Sequence, residues 1–373
     1  MAIATLEDLR RVRRVVLKIG SALLVERGAP RAAWLRALAG EIAAMRESGQ
    51  QVVVVSSGAI ALGAAQFGLE RGGRATLADA QAAASRGQLA LARLWDEALD
   101  AHGLAAAQML VTLGDLEDRR RYLNASATLD RLLELGAVPV VNENDSVATE
   151  EIRFGDNDRL AARVAQAAGA DAVLLLSDVD GLFDRDPQEA GATRLSVVET
   201  IDETIRAMAS DRSGSGLGSG GMQAKIAAAQ IATRAGIALA IGNGREGAPI
   251  ARALDDGIGT LFLPGQGAAA RKGWLSGRIA PAGTLTVDEG CARALTTSAS
   301  LLAAGIVAVE GDFGRGDLVR VASASGRAIA QGLVEYDAAA CRAIMGLRAE
   351  DQSTALGHAP RSAVIHRDHL VLL

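Results

Sequence analysis

Cysteine is scarce in this sequence of 373 residues. The two cysteines, Cys291 and Cys341, lie far apart and outside any CxxC or Cys/His grouping. The sequence therefore suggests neither a disulfide framework nor a zinc site. Long hydrophobic runs are missing as well, since no stretch approaches the ~18 uninterrupted apolar residues of a membrane helix. We expect a cytoplasmic protein that has no membrane partner.

An excess of positive charge is also missing. The formal net charge of -5 gives the protein no overall attraction for nucleic acid or anionic lipid. The sequence Gly-Lys-Ser/Thr does not occur, which excludes a Walker A phosphate-binding loop. Hydrophobic residues make up 49% of the chain and charged residues 22%, so we expect a sizeable core and a small-molecule partner.

Short β-branched runs alternate with long Ala- and Leu-rich stretches up to residue 263. The predicted strands are Val15–Ile19, Val52–Val55, Val138–Val141, Val173–Leu176 and Ile237–Ile241. The predicted helices are Arg31–Glu47, Leu77–Ala101, Leu116–Leu135, Asp156–Ala168 and Met222–Arg234. This alternation is typical of an α/β sandwich in which helices cover both faces of a mostly parallel sheet. It predicts one domain over residues 1–263.

The character of the sequence changes after residue 263. Residues 264–273 are rich in Gly and Ala and predict a linker. Residues 274–373 contain the strand-like runs TLTV, GIVAVEG, DLVRVAS and AVIHRDHLVLL, separated by glycine-containing turns. They predict a small, β-rich second domain.

Candidate binding residues follow the predicted strands, and ligands of a doubly wound sheet bind beyond the carboxyl ends of its strands. At the first strand, Lys18 supplies a cation and Gly20 lets backbone N–H groups approach a phosphate. Ser57 and Gly58 form a small-residue turn after the second strand, where N–H groups can hold an anion. Each of these features alone is also compatible with an ordinary turn.

Two clusters of carboxylate and amide side chains come next in the chain, NENDS at residues 142–146 and FGDND at residues 154–158. Asp156 has an alternative interpretation as a helix N-cap, but the clusters together favour a binding site. A glycine-rich segment at residues 214–221 then precedes a predicted helix that carries Lys225 in its first turns. It predicts a phosphate cradle, with a flexible surface loop as the alternative.

The chemistry available to these residues is limited. They include two lysines and several carboxylates but no nucleophile, and the four histidines all lie outside the strand ends. A hydrolase triad is therefore not supported. Phosphoryl transfer, which needs mostly positioning and charge neutralisation, suits such residues.

With these motifs in view, the chain resembles the amino acid kinase family, and within it the glutamate-phosphorylating kinases that end in a PUA domain. The resemblance rests on VVLKIGSALL, VVVVSSGAIALG, NENDSVAT, FGDNDRLAARVA, LLLSDVDGLFDRDP and GLGSGGMQAKIAAAQIA, in that order over residues 15–234. It implies an amino acid kinase-type αβα sandwich followed by a small β-rich PUA-like barrel.

The resemblance also implies a reaction and its participants. ATP, with Mg²⁺, would phosphorylate the γ-carboxylate of L-glutamate to L-glutamyl 5-phosphate, the first step of proline biosynthesis. The resemblance further implies that proline is a feedback inhibitor, that the protein is a homo-oligomer, and that it works in partnership with glutamyl phosphate reductase.

The resemblance assigns roles to particular residues. The catalytic residues would be Lys18, Lys225 and Asp156, which orients the two lysines, with Asp158 as a secondary candidate. The glutamate-binding residues would be Ser57, Asp145 and Asn157. The ATP-binding residues would be Lys18, Ser177, Asp178, Ser219, Gly220, Gly221, Met222, Gln223, Ala224 and Lys225. No metal ligand is assigned.

Two other functions stay open. One is a kinase of the same family that acts on another small acid, such as N-acetylglutamate or aspartate. The other is RNA binding through the PUA domain, since such domains usually contact RNA. Acidic residues are interspersed among the arginines of the tail, which favours a solvated, charge-balanced surface over RNA binding.

Overall fold

The structure, a computed structural model, describes residues 3–147, 157–210, 221–265, 281–297 and 299–373. The described chain divides into two units. The first comprises residues 3–117 and 125–265, and the second comprises residues 118–124 and 281–373. The predicted domain boundaries at 263 and 274 stay predictions, since most of the predicted linker lies outside the described residues.

The described residues before 265 contain ten strands: β1 (Arg14–Ile19), β2 (Val25–Glu26), β3 (Ala29–Pro30), β4 (Gln51–Ser56), β5 (Ala106–Val111), β6 (Val138–Glu143), β7 (Ala172–Ser177), β8 (Val197–Val198), β9 (Ala238–Asn243) and β10 (Gly259–Phe262). Eight of them form one sheet in the order β5-β6-β4-β1-β7-β9-β10-β8. The pairs from β5 to β9 are parallel, and β10 is antiparallel to β9. The expectation of a mostly parallel sheet is confirmed.

The helices of this part of the chain are α1 (Ser21–Leu24), α2 (Ala32–Glu47), α3 (Ala59–Phe67), α4 (Leu77–Asp100), α5 (Leu113–Glu117), α6 (Arg119–Glu134), α7 (Asn157–Ala167), α8 (Glu203–Ser210), α9 (Met222–Arg234) and α10 (Pro249–Leu254). The predicted helix Met222–Arg234 has these same bounds in the structure. The predicted helix Leu116–Leu135 is two helices, α5 and α6. Among the described helices, none has both the length and the apolar character needed to cross a lipid bilayer.

The core of the first unit lies on both faces of the sheet. Every residue of β1 and β7 is buried, as expected for central strands whose sequences are mostly apolar. The edge strand β5 was not predicted, because its sequence AAQMLV has one β-branched residue and its burial is incomplete. Mostly apolar character therefore identified the centre of the sheet but not its edge.

Helices α3 and α4 approach each other very closely beside the carboxyl end of β4. A Cβ atom on Gly63 would lie 1.8 Å from the carbonyl oxygen of Ala83, and one on Gly87 would lie 1.7 Å from that of Ala59. Only glycine fits at these two positions without moving a helix backbone. Because α3 follows directly after Ser57 and Gly58, this contact fixes where that turn lies.

The second unit contains β11 (Gly283–Val287), β12 (Ile306–Gly311), β13 (Leu318–Ser323), β14 (Ala328–Leu333) and β15 (Leu370–Leu372), together with α11 (Glu289–Thr296), α12 (Ala338–Ile344) and α13 (Ala349–Leu356). The strands form a mixed sheet in the order β12-β11-β13-β14-β15 around an apolar core of its own. The predicted β-rich module is confirmed. Its helices and β14 were not predicted, and only three residues of the predicted terminal run form a strand.

Candidate active site

The carboxyl ends of the central strands meet at one edge of the sheet. Ile19 of β1 pairs with Ser56 of β4 on one side and with Leu176 of β7 on the other. The residues that follow these strands are therefore neighbours. The strand order also separates them: residues after β4 and β6 lie on one side of β1, and those after β7 and β9 lie on the other.

Two buried lysines share one buried carboxylate at the middle of this edge. The Nζ atom of Lys18 lies 2.6 Å from Oδ1 of Asp158, and the Nζ atom of Lys225 lies 3.3 Å from Oδ2. The three residues are only 7%, 1% and 5% exposed, in the order Lys18, Asp158, Lys225. Asp158 therefore fixes two ammonium groups on either side of a single carboxylate.

Three different elements supply this arrangement. Lys18 lies in β1, Asp158 in the first turn of α7 and Lys225 in the first turn of α9. Burial would raise the pKa of Asp158, but the positive charges of Lys18 and Lys225 hold it below the ordinary value of an aspartate. Asp158 is therefore ionised at neutral pH, as its position between two cations requires.

A network of amide and hydroxyl groups lies on the β4 and β6 side. Asn157 donates from Nδ2 to Oγ of Ser57 at 2.7 Å and to Oδ1 of Asn142 at 3.1 Å. Asn142 in turn donates to Oε1 of Gln88 at 2.8 Å. Oδ1 of Asn157 is buried and has no hydrogen-bond partner in the described part of the chain. The network therefore fixes Asn157 and leaves one acceptor oxygen for a ligand.

Asp145 and Arg74 are the charged residues on the same side. The pKa of Asp145 is raised to about 6 by burial, an effect that the positive charge of Arg74 partly offsets. Both residues line the cavity described below. Neither side chain has a hydrogen-bond or ion-pair partner within the described ranges.

The β7 and β9 side carries a different set of groups. Ser177 donates from Oγ to Oδ1 of Asp178 at 3.2 Å, and Nη2 of Arg245 lies 3.4 Å from Oδ2 of Asp178. Asn243 at the end of β9 donates to Oδ1 of Asp180 at 2.8 Å. These bonds tie the two loops together where they face the cavity.

A cavity of about 780 Å³ connects the two sides. Among the residues assigned from the sequence, those that line it are Lys18, Ser57, Asp145, Asn157, Ser177, Asp178, Gly221, Met222 and Lys225. Gln223 and Ala224 belong to the first turn of α9 but do not line it. Asp156, Ser219 and Gly220 lie outside the described residues, so their assigned roles stay predictions.

The family resemblance implied the lysine-orienting role for Asp156, with Asp158 as a secondary candidate. In the described residues, Asp158 is the carboxylate that contacts both lysines. It was detectable in the sequence as part of the GDND cluster, but its spacing from Lys18 and Lys225 gave no sign of the contact. Arg74 and Arg245 were not identified, because a single arginine in a loop has no distinguishing pattern.

The described residues contain no group of three or more His, Cys, Asp or Glu side chains that could hold a metal ion. The carboxylate of Asp178 is near Arg245, and that of Asp158 contacts two lysines. The described residues by themselves would therefore leave a divalent ion to take its ligands from a bound molecule and water. That requirement fits Mg²⁺, which keeps several waters and is often held by nucleotide phosphates.

Comparisons with known proteins agree with this geometry. Residues 13–243 match the model of the amino acid kinase family, and residues 283–354 match that of the PUA domain. A protein of Novosphingobium aromaticivorans named glutamate 5-kinase is 62% identical over 96% of both chains. Proteins of the same name from Sphingopyxis alaskensis and Zymomonas mobilis are 60% and 53% identical over 96% of this chain and over 97% and 91% of their own. The chain therefore belongs to the amino acid kinase family.

Proposed function

We propose that this protein transfers the γ-phosphoryl group of ATP to the side-chain carboxylate of L-glutamate and so forms L-glutamyl 5-phosphate. The observation that carries the proposal is the buried arrangement Lys18–Asp158–Lys225, whose two lysines line a cavity with two chemically different sides. The name shared by relatives that are 53 to 62% identical supports the choice of substrate.

The chemical obstacle in this reaction is repulsion between two anions. The side-chain carboxylate of glutamate is ionised at neutral pH and needs no general base, but it must approach a triphosphate. Lys18 and Lys225 present positive charge at the point where the acceptor and donor meet. Their charge is held in place before the substrates bind, so it stabilises the transferring group with little reorganisation.

Asp158 acts through the lysines. A carboxylate between two ammonium groups keeps them apart at a fixed spacing and compensates their charge while the cavity is empty of phosphate. We therefore assign Asp158 as the positioning residue of the pair, in addition to any role of Asp156. Lys18 and Lys225 are the groups that contact the transferring phosphoryl oxygens.

The β4 and β6 side suits an amino acid. Asp145, together with the free Oδ1 acceptor of Asn157, is suited to the α-ammonium group. Oγ of Ser57 and the first N–H groups of α3 are suited to the α-carboxylate. A substrate whose amine is acetylated would leave Asp145 as an unpaired charge, which argues against N-acetylglutamate.

The β7 and β9 side suits the nucleotide. Ser177, Asp178 and the N-terminal turn of α9 line the cavity there, and Lys225 in that turn faces the phosphates. Mg²⁺ would enter with the nucleotide phosphates and neutralise part of their charge. Asp178, which also pairs with Arg245, is a carboxylate on this side that can accept hydrogen bonds from the waters of the ion.

The proposed product constrains partners and location. An acyl phosphate hydrolyses readily, so we propose that a reductase such as glutamyl phosphate reductase consumes it promptly, in the cytoplasm where ATP and glutamate occur. Proline is an α-amino acid that matches the ammonium and carboxylate groups of glutamate. We propose that it inhibits by competing for the β4 and β6 side, and that the active protein is a homo-oligomer.

The test is ATP-dependent hydroxamate formation by the purified protein with Mg²⁺ and hydroxylamine, comparing L-glutamate, N-acetylglutamate and aspartate. We expect product from L-glutamate alone, and its loss in Lys18→Ala and in Lys225→Ala. Arg93→Ala, which removes an exposed cation that does not line the cavity, is the control and should retain activity.

Two outcomes would overturn the proposal. Turnover of N-acetylglutamate or aspartate in preference to L-glutamate would keep the phosphoryl transfer but reject the substrate. Absence of turnover with all three acids would reject the reaction, and a salt-sensitive RNA-binding measurement would then test the PUA domain instead.

A further inference from the structure

Arg74 is a cationic residue of the cavity lining that has no role in the reaction proposed above. It belongs to the segment between α3 and α4, ahead of the N-cap of α4 at Thr76. Its guanidinium group has no hydrogen bond or ion pair to any other described residue, although it lines the cavity. The other cations of the lining differ, since each has a carboxylate partner: Asp158 for Lys18 and Lys225, Asp178 for Arg245 and Asp184 for Arg185.

The backbone on both sides of Arg74 is anchored. Gly73 is buried with φ of +75°, and a Cβ atom there would lie 2.9 Å from Cβ of Ala64 in α3 and 3.1 Å from Cβ of Ala83 in α4. Two residues after Arg74, Oγ1 of Thr76 accepts a hydrogen bond from the backbone N–H of Asp79 at 3.1 Å. Arg74 is thus held between a packed glycine and a helix cap, which limits where its side chain can reach.

Asp145 faces the same cavity from the end of β6. The two residues carry opposite charges, and the charge of Arg74 lowers the pKa of Asp145, yet they form no direct ion pair. A free α-amino acid carries one positive and one negative charge on adjacent groups. A carboxylate and a guanidinium that line one cavity without touching are complementary to such a zwitterion.

We propose that Arg74 binds the α-carboxylate of the amino acid substrate, opposite Asp145, and that this pair restricts the site to free α-amino acids. The inference rests on the proposed function and adds a residue to it. Arg74 joins Ser57 and the N-terminus of α3, whose neutral donors alone give weaker discrimination than a charged partner. Because the guanidinium group is partly in water, its contribution is moderate.

The experiment compares steady-state kinetics of Arg74→Gln, Arg74→Lys and the matched control Arg71→Gln. Arg71 is an exposed cation of the same segment that does not line the cavity. Arg74→Gln should raise KM for L-glutamate about tenfold while kcat at saturating glutamate and KM for ATP change less than about twofold. Arg74→Lys should recover part of the loss, and Arg71→Gln should behave as the unmodified protein.

A second measurement separates recognition from a structural effect. L-isoglutamine carries a carboxamide in place of the α-carboxylate, so its inhibition constant against L-glutamate should be the same in Arg74→Gln and the unmodified protein. Three results for Arg74→Gln would overturn the proposal. They are an equal loss of affinity for L-glutamate and L-isoglutamine, an unchanged KM for L-glutamate, and a fall in kcat. Absence of hydroxamate in the unmodified protein would instead reject the proposed function, and this inference with it.

Discussion

Replacing Asp158 by Asn tests the central arrangement of the site. The substitution keeps the size and shape of the side chain but removes the negative charge that lies 2.6 Å from Lys18 and 3.3 Å from Lys225. The two buried ammonium groups then lose the counter-charge that Asp158 supplies. Removing one partner of a buried ion pair typically costs about 3 to 5 kcal/mol, and we expect a loss of unfolding free energy in this range.

The effect on activity follows from the same loss of counter-charge. If the lysines move apart, both lose their alignment on the transferring phosphoryl group. Loss of one preorganised group typically lowers kcat by about 10² to 10³, so displacement of two should lower it by about 10³ or more. KM for L-glutamate should change little, because Asp145, Ser57 and Asn157 do not touch the altered side chain in the described contacts.

The measurements are hydroxamate formation at saturating L-glutamate and ATP, and urea unfolding followed by tryptophan fluorescence. Asp255→Asn is the matched control, since Asp255 pairs with Arg10 at 2.8 Å at the surface, where the side chains are 51% and 28% exposed. That pair should contribute at most about 1 kcal/mol. A kcat within tenfold of the unmodified protein, or a stability loss no larger than that of Asp255→Asn, would refute the role given to Asp158.

Three further predictions concern Asp145 and the contact between α3 and α4. The value of kcat/KM for L-glutamate should rise with pH through about 6, the raised pKa of Asp145, because only the carboxylate binds ammonium; a flat profile between about pH 5 and 7 would contradict this. Asp145→Asn should raise the unfolding free energy by about 1 to 3 kcal/mol at pH 8, since a pKa raised by burial means that ionisation disfavours the folded state. This gain in unfolding free energy should grow as the pH rises from 3.8, the pKa of Asp145 in the unfolded chain, to about 6, its pKa in the folded protein. Urea titrations below about pH 4 should show no gain. Gly87→Ala should lower the unfolding free energy by about 1 to 3 kcal/mol in the same assay and reduce hydroxamate formation, because the new Cβ would meet a carbonyl oxygen at 1.7 Å. Gly40→Ala is the control and should be tolerated, since the nearest neighbour of its Cβ lies at 3.4 Å.

Several elements could be predicted because their signals are local. A strand buried on both faces is mostly apolar, so the runs VVLKI and VLLL identified β1 and β7 even though Lys18 is charged. The helix Met222–Arg234 was predicted within its observed bounds because an apolar periodic segment follows a run of glycines. Strand β5 and the helices of the second unit were missed, since their residue types do not distinguish strand, helix and loop without the tertiary contacts.

The candidate site divides in the same way. The residue types, two lysines, an amide and carboxylate cluster and glycine turns after strands, were determined by the sequence alone, because each is a property of a short segment. The sequence did not determine that Asp158 pairs with the two lysines. Lys18, Asp158 and Lys225 are far apart in the chain and meet only when β1, α7 and α9 pack together. Arg74 likewise reaches the cavity that Asp145 lines only because α3 and α4 pack around Gly73. Composition determined which charges the protein carries, and tertiary structure decided which of them share a cavity and which are buried, because electrostatic energy depends on distance and on exclusion of water.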